Sequence, residues 1–216
     1  MALPQAVRHF TVSAEGVPVS VYAFALAAAT PDLLSPDEIA RAERLKFAAL
    51  RTRFIAARTG LRLILSAHTG VDAGLIRFSA GAYGKPALLD DPAVHFNLSH
   101  SDELALVAVA PYPVGIDLEI MRPLAWQTVI RTAEIGFSAE ELATLHGLPA
   151  SERVGVFYRI WTRKEALMKG IGDGFRLTKT FSVPHTGEGV RVGEWLICDC
   201  DPMPGAAAAL AVHRPL

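Results

Sequence analysis

The chain has 216 residues, 51% of them hydrophobic and 20% charged, with 21 Lys and Arg against 22 Asp and Glu and a formal net charge of −1. That length buries a sizeable core in one domain or two small ones, and the charge balance leaves no global field to draw the molecule to nucleic acid or to a membrane. No apolar run is long enough to span a bilayer, the first ten residues lack a secretion signal, and two cysteines make no disulfide framework, so a cytoplasmic location is expected.

Val17 to Ala29 reads as a buried strand. Ser35-Pro36-Asp37-Glu38 carries a capping box with proline at the first helical position, which predicts a helix start. Apolar and basic residues then mix with a helical period from Ile39 through Ala67, and Gly70 stops the pattern. Arg41, Arg44, Lys46, Arg51, Arg53, Arg58 and Arg62 lie in that stretch with Glu43 as the acid among them. They read either as solvated helical faces or as an anion-binding face.

Ile76 to Ser79 reads as a short strand, and Gly81-Ala82-Tyr83-Gly84-Lys85-Pro86 as a loop, because its glycines and proline break regular structure. Val94 to His100 alternates apolar and polar residues, so it predicts a half-buried strand with His95, Asn97 and Ser99 on one face. Leu104 to Ala110 is a continuous apolar strand. Pro111-Tyr112-Pro113 ends it, and Val114 to Ile120 forms the next strand. Ser138-Ala139-Glu140-Glu141 is a second capping box, with a helix to about His146. Ser151 to Lys169 predicts a longer helix, ended by Gly170 and the glycines at 172 and 174. Phe181 to Val183, Trp195 to Cys200 and Ala206 to Val212 read as closing strands.

Arg53 to Leu61 echoes Arg159 to Leu167. The echo predicts an α+β fold of two similar halves related by a pseudo-twofold, each a small, mostly antiparallel sheet packed on a long helix. The division falls at residues 1–112 and 113–216. Thr59 then stands where the second half has Glu165.

Asp117 and Glu119 are separated by one strand repeat and share a face, where two carboxylates repel unless a cation lies between them. Glu165 and Lys169 share a helix face, beside the apolar stripe of Phe157, Ile160, Trp161, Leu167 and Met168. The plain alternatives are an edge strand with a solvated face and a surface ion pair contributing roughly 0.3–0.5 kcal/mol. If they converge, three acids and a lysine make a site for a hard divalent cation, Mg²⁺ above all, holding a phosphate-rich substrate. Cys198-Asp199-Cys200 lacks the further ligands of a soft-metal site.

The run Val114-Gly115-Ile116-Asp117-Leu118-Glu119, followed by Trp161-Thr162-Arg163-Lys164-Glu165-Ala166-Leu167-Met168-Lys169, resembles the signature of the 4′-phosphopantetheinyl transferases. Tyr83-Gly84-Lys85-Pro86, Phe96-Asn97-Leu98-Ser99-His100-Ser101 and Arg53 support the resemblance, which spans roughly residues 35 to 185. Length and upstream features resemble the surfactin-synthetase-activating type, the long, pseudo-dimeric subclass. The resemblance implies transfer of the 4′-phosphopantetheine arm of coenzyme A to a serine of an apo carrier protein (acyl, polyketide or peptidyl), with release of adenosine 3′,5′-bisphosphate. It implies Asp117, Glu119 and Glu165 as ligands of Mg²⁺, or of Mn²⁺ in its place. Lys169 is implied at the pyrophosphate, and Arg53, Lys85, Ser99 and His100 at the adenosine and its 3′-phosphate. It implies Asp117, Glu165 and Lys169 as the catalytic set, with Glu165 or a water on the metal taking the serine proton and Glu141 ranked below them. A monomer is implied, with no nucleic-acid or membrane partner. The competing expectation is a non-catalytic relative that grips coenzyme A or a carrier domain, against which the intact acids and lysine argue. A phosphate-cradling Gly-x-x-x-x-Gly-Lys-Ser/Thr loop of unrelated phosphotransferases is missing.

Overall fold

The computed structural model describes residues 8–81, 84–172, 179–187 and 189–215. Its first element is a hairpin in which β1 (Arg8–Ala14) pairs antiparallel with β2 (Val17–Ala25). Glu15 and Gly16 form the turn at φ 49° and 83°, a left-handed pair whose twist suits right-handed strands. β1 is a strand the sequence reading did not include, and β2 stops at Ala25, short of Ala29.

α1 (Pro36–Glu43) starts as expected. The Ser35 hydroxyl accepts from the Glu38 amide, and Glu38 Oε2 accepts from the Ser35 amide at 2.9 Å. The expected run from Ile39 to Ala67 is two helices, because the chain turns at residues 44–47 before α2 (Ala48–Thr69) begins. Arg62, 1% exposed, and Arg58 both pair with Glu38, and Arg62 also donates to the carbonyls of Ala73 and Ile76. Arg53 pairs with Glu103. Three of the seven cations therefore hold the protein's own acids, and no continuous anion-binding face runs along all seven.

β3 (Phe78–Ala80) and β4 (Pro86–Leu88) form a short hairpin; Tyr83 and Ala82 of its loop lie outside the described residues. β5 (His95–Ser101) and β6 (Leu104–Ala110) complete a sheet ordered β1-β2-β6-β5. After β7 (Val114–Ile120) come α3 (Trp126–Gly136), α4 (Ala139–Gly147) and α5 (Ala150–Ile171). β8 (Gly189–Val192), β9 (Trp195–Asp199) and β10 (Ala206–His213) close a second sheet ordered β7-β10-β9-β8, and every pairing is antiparallel. α3 is a further element absent from the sequence reading. α4 starts on its expected capping box at Ser138. α5 runs through Gly170 and ends on Gly172, whose φ of 83° only glycine adopts readily. Phe181 to Val183 is not a strand, because the Val183 amide donates to the Glu141 carboxylate instead of to a neighbouring chain.

Strand parity sets the layers. Val19, Val21, Leu106 and Ala108 meet Ile116, Leu118, Leu196 and Leu210 in one core between the two sheets. On the outer faces, Phe24 and Val107 pack on Leu61, Ile64 and Leu65 of α2. Ile197 and Ala209 pack on Phe157, Ile160 and Leu167 of α5. The order is helix, sheet, sheet, helix. Each fully buried Leu or Ile in these cores contributes roughly 1.5–3 kcal/mol of transfer free energy. Both long helices have 22 residues and both end on a left-handed glycine. The order β2-β6-β5 with α2 recurs as β7-β10-β9 with α5, so the α+β class and its two sheet-on-helix halves stand as expected. β1 and β8 are additions on the flank away from β5 and β7, where Glu15 pairs with Arg191 and its carbonyl accepts from Arg214 at 3.2 Å. Among the described residues, no helix is long and apolar enough to cross a membrane.

Gly115 sets how closely α5 lies on β7. A Cβ there would sit 2.0 Å from the Ala166 oxygen and 2.3 Å from the Gly170 nitrogen, both backbone atoms that cannot swing aside. Gly115→Ala is expected to cost about 3 kcal/mol, a fall in melting temperature of roughly 6–12 °C for a chain of this size. A melt matching wild type would show that the two elements have room to part.

Candidate active site at the seam between the halves

β5 and β7 are edge strands of different sheets, and side chains rather than a backbone ladder join them. Asn97 Oδ1 accepts from the Ile116 amide at 2.9 Å. Ser99 Oγ donates to Asp117 Oδ1 at 3.0 Å, and Ser101 Oγ donates to Glu119 Oε2 at 3.1 Å. Partners advance together along both chains, so the two strands run in the same direction. The alternation read in β5 thus puts Asn97 and Ser99 on the face that meets β7, and Ser101, beyond the stretch read as strand, continues it.

The odd residues of β7 point the other way from its core face, toward α5. Lys169 Nζ donates to Asp117 Oδ1 at 2.6 Å and to Ser99 Oγ at 2.9 Å. Asp117 is 4% exposed, and its second oxygen, Oδ2, is buried with no hydrogen-bond partner. Glu119 is half-buried and takes a hydrogen bond from the Trp161 side chain as well as from Ser101.

Electrostatics show that the acids share one field. Burial pushes the Asp117 carboxyl up, against the pull of Lys169 and Ser99. Burial and then the charge of Asp117 raise Glu119. Glu165 is raised to about 7, by burial first, then by Asp117, with Glu119 adding and Lys169 opposing. The structure therefore brings Asp117, Glu119, Glu165 and Lys169 together from a strand and a distant helix. As the side chains stand, no three His, Cys, Asp or Glu among the described residues are gathered closely enough to hold one ion. The Lys169 ammonium occupies the place beside Asp117 Oδ1.

Two more expected residues join this corner. His100 is exposed near the end of β5, and partial desolvation of its ring, then the charges of Lys169 and Arg53, lower its pKa. Arg53 Nε donates to Glu103 at 2.9 Å. Lys85 stands apart, at the opposite end of β7. Its Nζ donates to the Gly170 carbonyl at 2.6 Å and the Val114 carbonyl at 3.0 Å, and burial lowers its pKa to about 8. A cation there suits the negative end of α5.

Glu141 is committed to a buried ion pair. Lys164 Nζ lies 2.7 and 3.0 Å from its two oxygens, which also accept from the Ser138 and Val183 amides, and the side chain is 3% exposed. Next to Lys164, the buried Arg163 grips both Asp199 oxygens and the carbonyls of Pro184 and Gly187. Arg163 and Lys164 thus hold residues 181–187 against α5, while Glu165 turns to the seam. Glu141→Gln is expected to cost about 3–5 kcal/mol, the usual effect of breaking a buried ion pair. Transfer per folded molecule should stay unchanged, which a melt and a rate normalised to folded protein check together.

A sequence profile of the 4′-phosphopantetheinyl transferase superfamily matches residues 113–196, the stretch that carries β7 and α5. The chain is similar to the 4′-phosphopantetheinyl transferase HetI of Nostoc sp., 37% identical over 187 residues that cover 83% of this chain and 78% of that protein. The chain belongs to the 4′-phosphopantetheinyl transferase superfamily. It is also similar to AcpT of Escherichia coli, 32% identical over 76% of this chain and 82% of that protein. Sfp of Bacillus subtilis is 32% identical over 69% of this chain and 66% of that protein. The family expected from the signature is confirmed, an enzyme of the transferase class follows from it, and the non-catalytic alternative is not favoured. In this phosphopantetheinyl transferase both halves line the seam, with serines from the first meeting acids from the second. The serine–acid contacts and the Trp161 bond are what the sequence reading missed. Their one signal was the matching two-residue spacing of Ser99 with Ser101 and of Asp117 with Glu119.

Proposed function

We propose that this phosphopantetheinyl transferase moves the arm of coenzyme A onto a serine of an apo carrier protein at the seam of β5, β7 and α5. The observation that carries the reading is the orphaned Asp117 Oδ2, buried among carboxyls that raise one another's pKa and beside a lysine. Hard oxygen donors with mutual repulsion and one unmet oxygen fit a small dication, and we assign Asp117, Glu119 and Glu165 to hold Mg²⁺, or Mn²⁺ in its place. When bound, such an ion neutralises charge on the pyrophosphate oxygens.

The chain's own residues do the rest. Lys169 holds a pyrophosphate oxygen as a point charge. Arg53, Ser99 and His100 at the same corner, and Lys85 beyond it, meet the adenosine and its 3′-phosphate. The carrier serine oxygen bonds to the phosphorus that bears the pantetheine, and the bond from that phosphorus to the adenosine bisphosphate oxygen breaks. The hydroxyl proton passes to Glu165, the carboxylate that α5 turns toward the seam. In-line placement and charge neutralisation dominate such a reaction. On this reading residues 1–112 supply the nucleotide contacts and 113–216 the acids and catalytic helix. One chain forms both walls, so a monomer suffices, and the cytoplasm is its compartment.

Apo carrier protein incubated with coenzyme A, Mg²⁺ and the enzyme should gain the mass of one phosphopantetheine. No gain across acyl, polyketide and peptidyl carriers, with coenzyme A binding retained, would overturn the proposal.

A further inference from the structure

We propose that Ser101 is a positioning residue that fixes the direction of the Glu119 carboxylate for its cation, a role that rests on the metal reading given above. Ser101 Oγ accepts from the Ile120 amide at 3.1 Å and donates to Glu119 Oε2 at 3.1 Å. The amide takes a lone pair of the hydroxyl, so the hydroxyl proton is left to the carboxylate. A glutamate has three rotors, and a half-buried one on an edge strand keeps several orientations unless something holds it. Holding one oxygen fixes where the other points, and the Trp161 donor from α5 bears on the same carboxylate.

One pleat back, the same device is visible in full. Ser99 tethers Asp117 Oδ1, and Oδ2 is left buried with no partner. Two serines one strand repeat apart on β5 thus match two acids one strand repeat apart on β7. The first half contributes no acid to the site; through Ser101 it sets the aim of an acid in the second. Second donors of this kind around ligating side chains alter metal affinity by roughly 10–100-fold when removed. The plainer role, a stitch that satisfies the Ile120 amide, predicts lost stability and nothing more.

The test uses the full chain and Mn²⁺ alone, titrated by the loss of the free-ion electron paramagnetic resonance signal. Ser101→Ala should raise the Mn²⁺ Kd about tenfold or more. The Mg²⁺ concentration for half-maximal transfer should rise in parallel, with kcat largely restored at saturating Mg²⁺. Ser101→Thr, which keeps the hydroxyl, should restore both. Wild-type Mn²⁺ affinity in folded Ser101→Ala, whatever its melting temperature, overturns the positioning role and leaves the metal reading standing. If the alanine variant does not fold, Ser101→Cys, a weak donor of similar volume, must show the raised Kd, and wild-type affinity there overturns the role equally. Failure of the wild type to bind Mn²⁺ at all removes the metal assignment, and the Ser101 role with it.

Discussion

Asp117→Asn is expected to lower kcat/KM for transfer by about a thousandfold or more, roughly 4 kcal/mol of transition-state stabilisation. The same variant should melt no lower than wild type. Both halves of this expectation come from one geometry. The carboxylate is 4% exposed, burial raises its pKa, and only one of its oxygens is partnered. An amide of the same shape keeps the acceptor for Ser99 and removes a charge that the interior tolerates poorly. Lys169 loses a partner, but its side chain is 31% exposed and can turn to water. On the proposed function, the charge that burdens the fold is the one the reaction needs, because an uncharged amide neither attracts a dication nor balances Lys169 beside a pyrophosphate. Transfer within tenfold of wild type would take Asp117 out of the chemistry. A large fall in melting temperature would instead make it a structural residue.

Glu165→Gln should be as damaging to transfer, and it carries a second, independent signature in the pH dependence of stability. Folded, the Glu165 carboxyl keeps its proton up to about 7, whereas its ordinary value is 4.5. The folded state therefore binds more protons between these values, and stability falls as pH rises through them. The contribution is fully present below about 4.5 and is gone above about 7. In a chelator, the melting temperature of wild type should decline across that window, and Glu165→Gln should flatten the decline. Added Mg²⁺ should raise the melting temperature more at the alkaline end, where all three acids are charged. Parallel melting curves for the two proteins at every pH would show that Glu165 does not feel its neighbours.

Much of this was legible because it is local. The capping box at Ser138, the alternation of β5 and the strand holding Asp117 and Glu119 are all short-range patterns, and each stands where it was read. What failed locally had conflicting cues. α3 begins at Trp126 after Ala125, with no side-chain cap to announce it. β1 turns into β2 through Glu-Gly, a weaker hairpin signal than Asn-Gly. Gly170 looked like a helix stop, yet it lies within α5, where its missing side chain makes room for Trp195 of β9. The break at residues 44–47 hid because the basic and apolar period continues across it. Contacts between distant positions were beyond local reading. Nothing in residues 81–86 says that Lys85 ends on the carbonyl of Gly170, or that Glu141 is locked to Lys164 and the Val183 amide. Convergence of the acids with Lys169 entered through the family signature, which encodes a long-range contact that spacing alone does not.

The added strands β1 and β8 have a bearing on stoichiometry. A fold made of two like halves has two places where an edge of one meets an edge of the other. At the first, β5 lies against β7 with no strand between them. At the second, β1 and β8 have been laid along β2 and β9, and Glu15 is clasped by Arg191 and Arg214. That junction is filled with backbone and closed by the Glu15–Arg191 ion pair and the Arg214 hydrogen bond to the Glu15 carbonyl. The polypeptide repeats one architecture twice but treats its two junctions differently: on the proposed function the β5–β7 junction does the chemistry, and the twofold-related one has become a fastening that keeps the halves in register.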